Sequence, residues 1–87
     1  MRPGCSISLQ SHEYRAEHWV VIKGVAQVEC EGVKDILHPN QSAFVPQRSI
    51  HRLSNHGQED LHIIEVQSGS YLSEDDIMRY EDIYGRA

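Results

Sequence analysis

The sequence predicts an all-β fold, a small antiparallel β-barrel closed by one short C-terminal helix. Three observations carry this. Short runs of apolar and β-branched residues recur along the chain, turn signals separate them, and only the last segment has helical periodicity. The runs cover residues 5–10, 18–23, 25–30, 33–37, 42–45, 51–54 and 61–67. Between them stand Gly24, Glu31-Gly32, His38-Pro39-Asn40, Pro46 and Asn55-His56-Gly57, residue types that start or tolerate turns. Strands this short, at this spacing, suit a sandwich or barrel.

The expected helix begins at Ser73-Glu74-Asp75-Asp76, which has the spacing of a capping box with Asp in place of Glu or Gln. Ile77, Tyr80 and Tyr84 then share one helical face, and Gly85 stands where a helix C-cap would. Acidic residues in the first turn suit the helix dipole.

Length and charge narrow the function classes. Eighty-seven residues make one domain, expected to span residues 1–87. A chain this small gains from metal ligation or dimerisation, because its core is small. The net charge of −5 argues against nucleic acid or an anionic membrane as partner. Cys5 and Cys30 are the only cysteines, which points to a reducing compartment. No apolar run approaches a membrane span and the first residues lack a signal-peptide core, so a cytoplasmic protein is expected.

Six histidines in so short a chain raise the question of metal. Gln10 and His12 are two apart in an expected strand, so their side chains leave the same face. Glu17 follows a turn-like segment, just before a strand that starts at His18-Trp19. His51 opens a much later strand. These residues can meet only inside a closed sheet, and a small barrel has room for one such site. Two imidazoles, a carboxylate and an amide oxygen suit one divalent ion, zinc first among zinc, Mn, Co, Ni and Fe. With no thiolate in the set, a structural zinc knot does not fit, and a site with positions open to water or substrate does. Glu65 and Gln67 share one face of the last long strand, and either a site-lining or a solvated role suits them. Arg52 is expected on the face opposite His51. His38, His56, His62 and Lys23 read as surface residues.

The spacing of the whole set resembles the two-part signature of the cupin superfamily of jelly-roll barrels. Its first part runs Gly4, Gln10, His12, Glu17, Gly24, and its second Asn40, Pro46, His51, Asn55. Cupins usually carry histidine where this chain has Gln10. The glutamine variant, in SLQSHEYRAEHW, resembles the sugar-phosphate isomerases. The strings RAEHWVVIKG, HRLSNHG, IIEVQSGSYLSEDDI and RYEDIYGR further resemble the C-terminal domain of type II mannose-6-phosphate isomerases, often fused to a mannose-1-phosphate guanylyltransferase.

That resemblance implies interconversion of mannose 6-phosphate and fructose 6-phosphate through a cis-enediol, with a metal acting as Lewis acid. It implies Gln10, His12, Glu17 and His51 as ligands, and Arg15 as the catalytic arginine that steadies the enediolate or grips the phosphate. Two departures stand out. Asn40 and Arg48 occupy positions where the family usually has glycine, and Arg48 is expected to alter the mouth of the site. The family also carries strands before the Arg2-Pro3-Gly4 segment, so the barrel edge is expected to be covered by a second copy in a homodimer. The alternative is a non-catalytic, metal-containing cupin that binds a sugar or metabolite.

Overall fold

Arg15–Lys23 forms the longest strand, and its side chains alternate between the barrel interior and the outer surface. Arg15, Glu17, Trp19 and Val21 are buried on one face, while His18 is exposed on the other. The computed structural model describes residues 1–80. Among these residues the strands are β1 (Gln10–Ser11), β2 (Arg15–Lys23), β3 (Ala26–Cys30), β4 (Val33–Leu37), β5 (Ser42–Val45), β6 (His51–Ser54), β7 (His62–Gly69) and β8 (Met78–Arg79). They form a five-stranded sheet in the order β4-β3-β6-β1-β8 and a three-stranded sheet in the order β5-β2-β7. All pairings are antiparallel. The expected all-β architecture is therefore present.

Trp19 and Val21 of one sheet pack against Ala26, Val28 and Leu53 of the other, with Leu37, Val45 and Leu61 completing the core. The turns use the residues that permit them. Gly24 and Gly32 have positive φ, and so do Asn40 (73°) and Arg48 (67°), the two positions where the sequence departs from glycine. At Gly69 the end of β7 comes so close to β2 that a Cβ would lie 2.1 Å from the Tyr14 carbonyl oxygen. No side chain fits there without moving the backbone that carries Arg15.

Three expectations are corrected. The helix over residues 73–80 does not form: Met78 and Arg79 pair with Ser11 and Gln10 as a strand, and the Tyr80 N–H donates to the Leu9 carbonyl. The ladder offers this segment tertiary hydrogen bonds that outweigh a local capping signal. Tyr84 and Gly85 lie outside the described residues. The second strand starts at Arg15 rather than His18, which puts Arg15, Glu17 and Trp19 on one face. The first run is regular strand only at Gln10–Ser11. Four residues separate Ser6 from Gln10 while three separate their partners Ser54 and His51, so a bulge lies between the two pairings.

Beside β6, Asn55 is fully buried and closes the N-terminal segment. Its Nδ2 donates to the Met1 and Glu59 carbonyls, and its Oδ1 accepts the Gly57 N–H, each at 2.9 Å. Truncation leaves three backbone groups to find other partners. Asn55→Ala is expected to cost about 2 kcal/mol in urea unfolding; a change below a few tenths of that would contradict this role.

Candidate metal centre

β2 delivers Glu17 to the interior two residues before Trp19, whose Nε1–H donates to Glu17 Oε1 at 2.8 Å. This bond fixes one carboxylate oxygen and leaves Oε2 directed at the cluster. β6 delivers His51, packed edge-on against the Trp19 ring at 5.6 Å between centroids. His12 follows β1 and is held there from two sides. Its carbonyl accepts the Arg48 N–H, and its Nδ1–H donates to the Asp76 carbonyl at 2.6 Å.

The two imidazoles are oriented alike. His51 donates Nδ1–H to the Ser49 carbonyl at 3.0 Å, as His12 does to Asp76. Each ring therefore turns the lone pair of Nε2 toward the cluster, the arrangement that prepares histidine to ligate. His12, Glu17 and His51 are all buried, and their ligand atoms lie within 4.8 Å of one another. His12 Nε2 and Glu17 Oε2 are 3.5 Å apart. Two donors on one ion at ordinary bond lengths stand roughly 3–3.5 Å apart, so this edge already has the right length.

His51 supplies the strongest test of fit. It is 1% exposed, and its Nε2 is the one buried side-chain polar atom without a hydrogen-bond partner among the described residues. A buried, unsatisfied nitrogen costs about 1–3 kcal/mol, so such an atom calls for a ligand. Burial also lowers the His51 pKa, which keeps the imidazole neutral and its lone pair available. Two imidazoles and a carboxylate fit a divalent ion of the zinc–iron class.

The other expected residues fall as follows. Gln10 lies directly across from His51 in the β1–β6 ladder, so both side chains leave the same face. Its Nε2 donates to Ser8 at 3.2 Å (carbonyl) and 3.1 Å (Oγ). Arg15 is buried with the cluster: its Nε donates to Glu17 Oε2 at 3.0 Å and an Nη to His12 Nε2 at 3.3 Å. Glu65 pairs with Trp19 in the β2–β7 ladder but stays exposed at the open side of the barrel, and partial desolvation, then the Glu17 charge, raises its pKa. His18, His38, His56, His62 and Lys23 are exposed. Arg52 reaches Glu29 at 3.7 Å, outside the cluster. Arg48 does not shape the site through its side chain, which lies in solvent and pairs with Glu13 at 2.9 Å.

Asp76 is the residue sequence reasoning misassigned. Its carboxylate accepts the backbone N–H groups of Glu13 and Tyr14, each at 2.9 Å, while its carbonyl orients His12. One buried aspartate thus ties the β7–β8 connection to the loop that carries the histidine. The sequence signal was Asp in the fourth place of a capping box that prefers Glu or Gln.

Two facing antiparallel sheets with a buried two-histidine, one-carboxylate cluster between them define a cupin, as expected. The chain belongs to the family described as mannose-6-phosphate isomerase C-terminal, whose model matches residues 1–82. Over all 87 residues it is 58% identical to alginate biosynthesis protein AlgA of Pseudomonas syringae pv. tomato. It is 49% identical over 86 residues to the mannose-1-phosphate guanylyltransferase of Klebsiella pneumoniae. The chain spans only 18% of the length of each of these relatives. Among solved structures, a Klebsiella pneumoniae protein with a double-stranded β-helix domain superposes with a TM-score of 0.79 at 22% identity. That match covers 93% of this chain and 65% of the other, and it shows the fold. Among the described residues no helix is long and apolar enough to cross a membrane.

Proposed function

We propose that this chain is a metal-dependent sugar-phosphate isomerase domain that interconverts mannose 6-phosphate and fructose 6-phosphate through a cis-enediol. The observation that carries the reading is His51 Nε2, buried and unpartnered beside the ligand atoms of His12 and Glu17. Gln10, His12, Glu17 and His51 would hold one divalent ion, with zinc the first candidate. When bound, the ion supplies Lewis-acid chemistry at the substrate's carbonyl and hydroxyl oxygens. The chain's own residues do the rest. Asp76 and Ser49 hold the two imidazoles in their ligating orientation, and Trp19 fixes the Glu17 carboxylate. Arg15 offers paired N–H donors to an oxyanion, either the enediolate or the phosphate. Family membership, and relatives named for alginate biosynthesis and mannose-1-phosphate guanylyl transfer, support a sugar phosphate as substrate and a place in GDP-mannose biosynthesis.

We read residues 1–87 as a single cupin domain acting in the cytoplasm as a homodimer. Phe44, Ile64 and Val66, exposed together on the outer face of the three-stranded sheet, support an apolar contact with a second copy.

Incubating the zinc-loaded chain with mannose 6-phosphate in D2O tests the reaction. Fructose 6-phosphate is expected, with solvent deuterium entering at the carbon next to the carbonyl. Zinc bound without product or exchange would overturn turnover and leave a non-catalytic, metal-containing cupin that binds sugars.

A further inference from the structure

We infer that Arg15 competes with the metal for its own ligands, so that loading the site requires the guanidinium to withdraw. The inference rests on the metal reading above and adds a second role for an arginine otherwise assigned to substrate. Two of the three converging ligand atoms are engaged by Arg15: Glu17 Oε2 accepts from Nε at 3.0 Å and His12 Nε2 accepts from an Nη at 3.3 Å. A third bond, from Nη1 to the Ser73 carbonyl at 3.4 Å, anchors the far side of the fork. The guanidinium is buried with the cluster rather than free at its mouth. Only His51 Nε2 is left outside this arrangement.

His12 Nε2 has a single lone pair and cannot coordinate an ion while it accepts the Arg15 N–H, whereas Glu17 Oε2 keeps a second lone pair, so the exclusion is set at His12. A divalent ion between His12, Glu17 and His51 would also place two like-charged groups within a few ångströms of each other in a buried site. The guanidinium-in and metal-in arrangements therefore exclude one another. Apparent metal affinity is the intrinsic affinity multiplied by the fraction of molecules with Arg15 withdrawn. Charge-assisted hydrogen bonds of this kind are strong enough to make that fraction small. The same exchange releases paired N–H donors when the ion arrives, so metal loading and the availability of Arg15 to an oxyanion are one event.

Stopped-flow binding of Co2+ to the chelator-stripped 87-residue chain, read by cobalt's visible absorption, tests this. In the native chain the observed rate should level off at high Co2+, because withdrawal of Arg15 becomes limiting. In Arg15→Met the rate should rise linearly, and equilibrium affinity should increase by at least about tenfold. Arg15→Lys, which keeps the charge but loses the fork, should also lose the plateau. If the native chain shows linear rates like those of Arg15→Met, with affinities that agree, the competition is wrong and the metal site stands. If neither chain takes up Co2+, the metal reading itself fails.

Discussion

His51→Leu is expected to weaken zinc binding a hundredfold or more while leaving the chelator-treated protein within about 1 kcal/mol of the native chain. The two halves of this result have separate causes. Losing one ligand from so small a set is expected to weaken zinc by a hundredfold or more, about 3 kcal/mol. In chelator the balance reverses. His51 Nε2 is buried with no partner, and leucine of similar size removes that desolvated nitrogen beside Trp19. Zinc at about a hundredfold over the native dissociation constant should stabilise the native chain by about 2.7 kcal/mol and the variant by no more than about 0.4 kcal/mol. Urea unfolding with zinc and with EDTA measures both. A variant destabilised in EDTA by clearly more than the roughly 1 kcal/mol of the lost Nδ1–H bond to the Ser49 carbonyl would mean that His51 is an ordinary structural histidine.

The second large effect is expected at Asp76. Asp76→Ala removes the acceptor of two backbone N–H groups at once. Bonds to a charged acceptor contribute about 1.5–3 kcal/mol each, so a loss of about 3 kcal/mol in unfolding free energy is expected. The backbone carbonyl that orients His12 remains, but the segment carrying it is no longer pinned to the Glu13–Tyr14 loop. Zinc affinity should therefore fall by about tenfold or more, as it does when groups supporting a ligand are lost. Asp76→Asn keeps one acceptor oxygen but turns an NH2 group toward a backbone N–H, so it should recover less than half of the loss. Unchanged zinc affinity in a folded Asp76→Ala chain would show that the histidine is positioned without this aspartate.

Much of the cluster was legible in the sequence. Alternation alone put Gln10 and His12 on one strand face, and it was the resemblance to the two-part cupin signature that joined Glu17 and His51 to them. Burial followed from the alternation in residues 15–21, once the strand was known to start at Arg15. The start itself was not legible, since Tyr14-Arg15-Ala16 reads equally well as a turn. It is the tight packing of Gly69 against Tyr14 and Arg15 that draws this stretch into the ladder. The bulge between Ser6 and Gln10 left no mark either, because a bulge inserts one residue without changing residue type.

The C-terminal segment shows the limit most clearly. Ser73 to Tyr80 carries a helix-like pattern, but its polar groups have better partners elsewhere. Asp76 finds two backbone N–H groups more than sixty residues away in sequence, and Met78-Arg79 finds an open edge of β1. Local patterns contain no information on such partners. Arg15 is a similar case: sequence and resemblance marked it as functional, whereas its hydrogen bonds to the ligand atoms themselves could be read only from the structure.

Anomalous diffraction from crystals of the zinc-loaded chain tests the central claim most directly. A single peak is expected per chain, at about 2.0–2.2 Å from His12 Nε2, His51 Nε2 and a Glu17 carboxylate oxygen. No peak there, or zinc held only by exposed histidines such as His38, His56 or His62, would contradict it.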